Sequence, residues 1–220
     1  MPQAVIFDVD GTLIDSVDLH ARAWQEAFRH FGFDFPFDRV RQQIGKGGDQ
    51  LIPALLSPEE NEKHHDDIDE FRNDQFQKTY LDQVKPFPGV RDLFECCRKR
   101  GLKIALASSG KGKEVERYIE ITGIDGRFDE RTTSEDAEKS KPHPDILLAA
   151  LERLGVHVPR SVVAVCDTPY DAEAAGKAGM RTVGLLCGGF PEEQLRDAGC
   201  VAVYRDPADL LRQFATSPLA

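Results

Sequence analysis

The 220-residue sequence predicts a doubly wound α/β fold, built on a parallel sheet, into which an α-helical domain is inserted. Three observations support this prediction. Short aliphatic segments, bounded by turn or charged residues, alternate with segments of helical spacing. The short segments are continuously apolar, as expected of parallel strands that are covered on both faces. Only helical patterns lie between the first two of them, over a stretch far longer than one crossover helix requires.

The predicted strands are Ala4–Phe7, Lys103–Ala107, Val162–Val165 and Thr182–Leu186. Two intervening segments have clear helical periodicity. In Val90–Arg100 the apolar residues recur at positions i, i+3, i+4 and i+7, and Asp145–Leu154 has a similar apolar face. Strands that alternate with helices in this way imply right-handed crossovers and a parallel sheet.

The segment from Leu19 to Leu81 contains helical patterns only, with interruptions at Gly32, Pro36, the Gly45–Gly48 loop and Pro58. The turn Pro86–Gly89 marks the return of the chain to the sheet. We therefore predict a core domain formed by residues 1–17 and 86–220, and a helical cap domain formed by residues 18–85.

The net charge of −10, from 28 basic and 38 acidic residues, argues against nucleic acid or an anionic membrane as a partner. A mean hydropathy of −0.41 and the lack of a long apolar run argue against a membrane span. The amino terminus has no basic segment of the kind that begins a signal peptide. Five cysteines, an odd number without metal-type spacing, favour reduced thiols in the cytoplasm.

Glu59–Lys85 holds nine acidic and four basic residues, a pattern typical of a solvated helix face. His64 and His65 lie within this segment, and we interpret them as surface residues rather than metal ligands.

Two carboxylates follow the first predicted strand, in the sequence Asp8-Val9-Asp10-Gly11-Thr12. Ligands of α/β sheets bind beyond the carboxyl ends of the strands, so this position is the expected site. Residues i and i+2 of an extended segment point the same way, and two adjacent carboxylates repel each other unless a proton or cation lies nearby. A calcium loop of the EF-hand type does not fit, because Gly11 stands at position four and Leu19 at position twelve. A simple Asx-turn remains an alternative for this segment alone.

Three further polar segments lie at strand ends or helix starts. Ser108 and Ser109 follow the second strand, Lys141-Pro142 is predicted to open a helix, and Asp167 and Asp171 follow the third strand. Taken singly, each is explained by helix capping or by an ordinary surface position. Their succession at strand ends and helix starts is harder to assign to capping and suggests one shared site, in which hydroxyl and backbone N–H groups bind phosphate oxygens.

These four segments resemble the four motifs of the haloacid dehalogenase superfamily, and the helical insertion resembles the small cap of that superfamily on its Rossmann-like core. The likeness is greatest to phosphoglycolate phosphatase-like and β-phosphoglucomutase-like members. The resemblance implies that Asp8 attacks phosphorus and that Asp10 acts as acid and base. It further implies that Ser108, Ser109 and Lys141 bind the phosphoryl group. Mg²⁺ would be held by Asp8, the carbonyl of Asp10, and Asp167, with support from Asp171.

One departure from the superfamily pattern lies in the fourth motif, where Cys166 precedes Asp167 and Thr168 replaces the frequent serine. A thiol is larger than a hydrogen atom and is a poor magnesium ligand, so we expect an effect on local packing or on metal affinity.

Asp10 favours phosphoryl chemistry over dehalogenation, because the dehalogenases typically lack this second aspartate. His20 and Trp24 resemble an H-x-x-x-W of the β-phosphoglucomutase-like members, although Trp24 also fits the cap core. The Gly45–Gly48 loop resembles the substrate-closing loop of the cap, and Lys46 and His20 are candidate substrate-binding residues. Where the mutases continue to a phosphate-binding arginine, this chain has Asp49 and Gln50, which favours hydrolysis.

We therefore predict a Mg²⁺-dependent phosphatase that hydrolyses a small phosphorylated metabolite, of the phosphoglycolate or sugar-phosphate type, through an aspartyl-phosphate. A phosphomutase is the alternative, and a non-catalytic protein that binds metal and phosphate is the second alternative. The expected partner is a small phosphate ester, with no nucleic acid and no membrane. The sequence does not determine the oligomeric state.

Overall fold

The computed structural model describes residues 1–220. It contains eight strands: β1 (Ala4–Phe7), β2 (Ile14–Asp15), β3 (Lys85–Pro86), β4 (Lys103–Ala107), β5 (Glu130–Thr132), β6 (Val162–Cys166), β7 (Arg181–Leu185) and β8 (Cys200–Tyr204). Six of them form a sheet in the order β5-β4-β1-β6-β7-β8, and every pair in it is parallel. The predicted fold class, a doubly wound parallel sheet, is confirmed.

Ten α-helices lie between the strands or after the last of them: α1 (Val17–His30), α2 (Phe37–Arg41), α3 (Gly48–Leu51), α4 (Pro58–Gln75), α5 (Val90–Lys99), α6 (Gly112–Thr122), α7 (Asp145–Leu154), α8 (Pro169–Lys177), α9 (Glu192–Asp197) and α10 (Pro207–Arg212). A π-helical turn, Phe76–Tyr80, continues α4. Short 3₁₀ turns occupy Leu81–Gln83, Ser134–Asp136, Pro159–Ser161, Leu186–Gly188 and Phe214–Thr216. None of these helices combines the length and the apolar character that crossing a membrane requires.

The central strands are buried on both faces, which explains why their sequences are continuously apolar. Every residue of β1 and β6 is buried. One apolar cluster, which includes Val5 and Phe7, covers one face of the sheet, and a second, which includes Ala4 and Ile6, covers the other. Successive side chains of β1 therefore enter opposite cores, as the alternation of a strand requires.

The strand order places the carboxyl end of β1 at a topological switch point. In order of sequence the six strands of the sheet run 3-2-1-4-5-6, so the chain winds outward from β1 in both directions. A crevice therefore opens beyond the carboxyl ends of β1, β4 and β6, and ligands of open α/β sheets bind in such a crevice. Asp8, Ser108 and Asp167 follow these three strands directly.

The first four helices form a separate layer above this crevice. A third apolar cluster packs these four helices together and contains, among others, Trp24, Phe28 and Ile68. The antiparallel ribbon of β2 and β3 joins the two chain crossings between this layer and the sheet. The division into a core, residues 1–17 and 86–220, and a cap, residues 18–85, stays a prediction. The ribbon lies close to both predicted boundaries between core and cap.

Two details differ from the sequence-based expectation. The sequence predicts that Lys141-Pro142 opens a helix, but α7 begins at Asp145 and the pair lies in the preceding turn. The edge strands β5 and β8 were not predicted. β5 has three residues, of which two are charged, and the residues of β8 are mostly only partly buried, so neither has a continuously apolar pattern.

Candidate active site

Asp8 lies at the end of β1, and its carboxylate contacts the buried ammonium group of Lys141. Lys141 Nζ donates to Asp8 Oδ1, donates to the carbonyl oxygen of Ala107 at 3.2 Å, and forms an ion pair with Asp171 Oδ1 at 2.6 Å. Burial, the largest effect, raises the pKa of Asp8; Lys141 lowers it and Asp171 raises it, and the resulting pKa is about 7. Burial alone would lower the pKa of Lys141, but Asp171 and Asp8 raise it above its usual value. The lysine is therefore a fixed positive charge beside Asp8.

Asp167 completes a cluster of three buried carboxylates with Asp8 and Asp171, whose oxygen atoms lie within 4.8 Å of one another. Asp167 Oδ1 accepts from the hydroxyl of Thr12 at 2.9 Å, whereas its buried Oδ2 has no hydrogen-bond partner. Burial and the charges of Asp8 and Asp171 raise the pKa of Asp167 well above its usual value. Buried carboxylate oxygens with unbalanced negative charge are a suitable donor set for a divalent cation of the hard, oxygen-binding type.

Two glycines make the position of Asp167 possible. A Cβ atom on Gly188 would lie 1.7 Å from Asp167 Oδ2, and one on Gly11, whose φ is +76°, would lie 2.3 Å from the same atom. Only a residue without a side chain fits at these positions. The requirement at Gly11 explains the glycine that follows Asp10 in the sequence.

Cys166, which directly precedes Asp167, and Asp171, four residues after it, have different contacts. Asp171 Oδ2 forms a capping box with Thr168 at the start of α8, while its other oxygen contacts Lys141. Thr168, which replaces the serine frequent in the superfamily pattern, thus supplies a capping hydroxyl. The Cys166 thiol lies against Cys200 and the carbonyl oxygen of Thr168, and its hydrogen bond with Cys200, together with burial, raises the pKa of this thiol.

Asp10 is held by hydrogen bonds on both of its oxygens. Oδ1 accepts from the Ser16 hydroxyl at 2.7 Å and contacts His20 Nε2 at 2.8 Å, and Oδ2 accepts from the Ser108 hydroxyl at 3.4 Å. Burial, the largest single effect, raises the pKa of Asp10, but His20 and Ser16 more than offset it, so the pKa lies below its usual value. The side chain is thus an oriented carboxylate at the edge of the crevice.

The tautomer of His20 follows from its partners. Arg72 Nη2 lies 2.6 Å from His20 Nδ1, and a guanidinium group can only donate. Nδ1 therefore accepts, and Nε2 carries the proton that it donates to Asp10. The ring also stacks on Phe76 with 4.0 Å between centroids. The sequence indicates His20 as a candidate substrate-binding residue, but its two ring nitrogens already contact Asp10 and Arg72.

The predicted phosphate-binding serines follow β4. Ser108 is fully buried, and its hydroxyl accepts from the N–H of Gly110 at 3.0 Å in addition to contacting Asp10. The buried hydroxyl of Ser109 has no hydrogen-bond partner, and Ser109 lines the crevice. Ser109 therefore offers a hydroxyl without a partner in the crevice that Asp8 and Asp10 also line.

The crevice and the overlying helices enclose a chamber of about 290 Å³, in which only four of the 23 lining residues are hydrophobic. Lys46, a candidate substrate-binding residue, lines it. Its ammonium group donates to Gln43 Oε1 at 2.7 Å and lies 4.5 Å from the centre of the Tyr170 ring. Burial lowers the pKa of Lys46. Trp24 belongs to the cap core, and it also lines the chamber.

Sequence reasoning missed Arg72 and Glu114. Arg72 lies in the acidic segment whose pattern predicts a solvated helix face. Much of α4 is indeed exposed, but Arg72 lines the chamber, 5.1 Å from the centre of the Trp24 ring. Glu114 is buried on α6 and accepts from the Tyr118 hydroxyl at 2.8 Å. No local pattern marks either residue for the site, because the contacts that place them there are long-range: Arg72 with His20, and Glu114 Oε2 with Arg72 Nη1 at 3.9 Å.

We expect protons and a divalent cation to compete for this cluster. Between the unfolded pKa of 3.8 and the folded pKa of about 7, Asp8 binds more protons in the folded state, so the metal-free protein loses stability as the pH rises through this range. Adding MgCl₂ should therefore raise the melting temperature more at about pH 8 than at about pH 6. Differential scanning fluorimetry measures this, with NaCl at equal ionic strength as the control. An equal Mg²⁺ shift at both pH values would contradict the assignment of the cluster as a cation site.

The carboxyl end of the doubly wound sheet carries an enzyme site that suits phosphoryl transfer. The site combines a carboxylate paired with a buried lysine, a second oriented carboxylate, and a cluster of carboxylates that could hold a cation. Residues 5–185 match the family described as haloacid dehalogenase-like hydrolase. The chain therefore belongs to the haloacid dehalogenase-like hydrolases, and the predicted family is confirmed.

Named relatives agree with this placement over nearly their whole length. The chain is 29% identical over 210 residues to the phosphorylated carbohydrates phosphatase of Thermotoga maritima, covering 95% of this chain and 96% of the relative. It is 31% identical over 195 residues to the phosphoglycolate phosphatase of Aquifex aeolicus, covering 84% and 85%. A hydrolase from Pseudomonas syringae superposes with a TM-score of 0.91 at 29% identity, covering 98% and 99%. The predicted class of enzyme, a phosphoric monoester hydrolase, is confirmed at the level of the family.

Proposed function

We propose that the protein is a Mg²⁺-dependent phosphatase that acts on phosphorylated carbohydrates, with Asp8 as the nucleophile. The observation that carries the proposal is the buried contact between Lys141 and Asp8, whose carboxylate lines a polar chamber. The names of the relatives support a phosphate monoester as the substrate. A cytoplasmic location, which the odd number of cysteines favours, is part of the proposal.

In the first step an Asp8 oxygen attacks phosphorus, and the bond between phosphorus and the ester oxygen breaks. Asp10 gives its proton to the departing oxygen, so the product leaves as an alcohol and an aspartyl-phosphate remains. The negative charge of a bound phosphate near Asp10 favours the protonated form that this step needs. In the second step Asp10 takes a proton from water, the water oxygen attacks phosphorus, and Asp8 is released together with inorganic phosphate.

The other residues orient these two carboxylates and the phosphoryl group. Lys141 holds Asp8 and offsets the charge of the phosphoryl oxygens. The free hydroxyl of Ser109 donates to one of those oxygens, and Ser108 supports Asp10. His20 holds Asp10 in place through its Nε2–H. Asp8, the carbonyl of Asp10, and Asp167 would hold Mg²⁺, with Asp171 in support; when bound, this cation supplies positive charge to the phosphoryl oxygens and to the carboxylate cluster.

The chamber favours a hydroxyl-rich substrate over phosphoglycolate. Its lining includes four carboxylates besides the catalytic pair: Asp49, Asp69, Glu114 and Glu138. Three lysine or arginine residues line it against six carboxylates. Lys111 Nζ contacts Asp69 at 3.3 Å, Arg72 contacts His20, and Lys46 donates to Gln43 Oε1 at 2.7 Å. A substrate carboxylate would therefore meet an excess of negative charge, whereas sugar hydroxyls would find acceptors.

The test is a phosphate-release assay with hexose phosphates, pentose phosphates and 2-phosphoglycolate. We expect kcat/KM for the best sugar phosphate to exceed that for phosphoglycolate by at least about tenfold, the effect of roughly 1.4 kcal/mol. EDTA should abolish the activity and excess Mg²⁺ should restore it, with EDTA already saturated by Mg²⁺ as the control.

Three results would contradict the proposal. Activity that persists in EDTA would contradict the requirement for a metal. A preference for phosphoglycolate would contradict the assignment of a carbohydrate substrate. Conversion of β-glucose 1-phosphate to glucose 6-phosphate without phosphate release would replace the phosphatase by the phosphomutase.

A further inference from the structure

The cap loop that begins α3 is hydrogen-bonded to the turn that carries Lys141. The N–H of Gly47 donates to Ser140 Oγ at 2.9 Å, and the N–H of Ser140 donates to Asp49 Oδ2 at 3.0 Å. Ser140 is buried and directly precedes Lys141. The two bonds are reciprocal, since each side supplies one backbone N–H and one side-chain acceptor. We call this pair of bonds the cap latch.

The close approach at the latch depends on Gly47. A Cβ atom on Gly47 would lie 2.7 Å from both Cβ and Oγ of Ser140, and 2.8 Å from Asp49 Oδ1. Contacts below 3.0 Å force atoms to shift, so a side chain at position 47 would separate the loop from Ser140. Gly47 therefore allows the loop to pack directly against the core, which is a stricter requirement than loop flexibility alone.

Asp49 is ionised and committed to this contact. Burial raises its pKa, but hydrogen bonds from Ser140 and Gln50 more than offset this, and the pKa lies below its usual value. The bond to the Ser140 N–H is thus charge-assisted, which makes it stronger than a neutral hydrogen bond. Asp49 and Gln50 follow the loop where mutase-like sequences carry a phosphate-binding arginine. In this chain Asp49 reaches from the cap to the core rather than toward a second phosphate.

Other contacts also join the cap to the core, but they lie elsewhere. The Tyr170 hydroxyl donates to the carbonyl oxygen of Gln42 at 2.6 Å, and Arg41 Nη2 donates to that of Gly188 at 3.1 Å. Neither adjoins Lys141. Of these contacts, only the cap latch involves Ser140, the residue that directly precedes Lys141.

We propose that Asp49 is a positioning residue that, through Ser140, holds the cap closed and Lys141 in place without any contribution from the substrate. This inference rests on the proposed function. It explains how the enzyme closes over esters that carry a single phosphate. A substrate with a second phosphate is not required for closure, so a minimal ester such as p-nitrophenyl phosphate should be hydrolysed in the closed form.

The variants Asp49→Ala, Asp49→Asn and Ser140→Ala test the latch, with Asp66→Ala as the matched control. Asp66 lies on the cap helix α4, its side chain is fully exposed, and its only ionic contact is with the adjacent His65. We expect Asp49→Ala to lower kcat/KM for p-nitrophenyl phosphate about tenfold, mostly through kcat, as for the loss of one charge-assisted hydrogen bond. Asp49→Asn should retain most of the activity, because an amide oxygen still accepts the Ser140 N–H. The double variant of Asp49→Ala and Ser140→Ala should be no worse than either single variant.

A second readout is independent of activity. Trp24 is the one tryptophan of the chain, is 3% exposed, and lines the chamber beside Gly48 of the cap loop. Quenching of its fluorescence by acrylamide, well below the melting temperature, therefore reports opening of the cap. Asp49→Ala should increase quenching, whereas Asp66→Ala should not.

The outcomes separate the latch from the proposed function. Unchanged quenching in Asp49→Ala would overturn the latch, and increased quenching with unchanged kcat/KM would overturn the positioning of Lys141. If the wild-type protein released no phosphate from any ester, the proposed function would fail, while the quenching of Trp24 would still decide whether the cap is held by Asp49.

Discussion

Replacing Asp8 with asparagine is expected to abolish turnover while the protein stays folded. An amide oxygen is far less nucleophilic than a carboxylate oxygen, so the covalent step has no attacking group. We expect kcat to fall by at least about 10⁴-fold, as it does when a nucleophile is removed from an enzyme whose other groups stay in place. Stability should be retained, because the substitution removes one of three mutually repelling carboxylates and is nearly isosteric.

The measurement is phosphate release under saturating Mg²⁺, together with thermal unfolding to show that the variant is folded. Asp66→Asn is the matched control, since it makes the same chemical change at a fully exposed position of the cap and should leave kcat unchanged. Activity of Asp8→Asn within about a hundredfold of the wild type would show that another group attacks phosphorus.

Replacing Lys141 with methionine is expected to lower both activity and stability. The buried ammonium group contacts Asp8 and Asp171, and without it the carboxylate cluster has no positive charge beside it in the metal-free protein. Breaking a buried ion pair by removing one partner costs about 3–5 kcal/mol of unfolding free energy. We also expect kcat to fall by at least about 10³-fold, because the preorganised charge at the phosphoryl group is lost.

The pH dependence of this loss has a definite sign. Without Lys141 the carboxylates are destabilised as anions, so they take up protons in the folded state and the protein is least stable at high pH. The stability difference from the wild type should therefore shrink between about pH 8 and about pH 5.5, as denaturant unfolding would show. Lys78→Met is the control, because that side chain is 72% exposed and pairs only with Asp74 on the surface. A stability difference that is constant over this pH range would contradict the charge argument.

The strand-end residues could be assigned from sequence because their signals are local. A continuously apolar run predicts a strand that is buried on both faces, and β1 and β4 have the predicted bounds. A polar residue directly after such a run must lie at the carboxyl edge of the sheet, whatever the rest of the chain does. The strands β5 and β8 escaped prediction because β5 has charged residues and β8 is only partly buried, so neither has this pattern.

The sequence by itself determined the class of fold, the family, and the candidate residues at the ends of β1, β4 and β6, because each of these depends on periodicity and on motifs that lie within a few residues. Only the tertiary structure decided which side chains meet. Arg72 contacts His20 across 52 positions, and Asp49 contacts Ser140 across 91. Such pairs depend on how the helical layer lies over the sheet. Local spacing does not encode that packing. From the sequence alone, Arg72 is one of several charged residues on a helix predicted to be solvated, and Asp49 shows only that the phosphate-binding arginine of the mutases is missing.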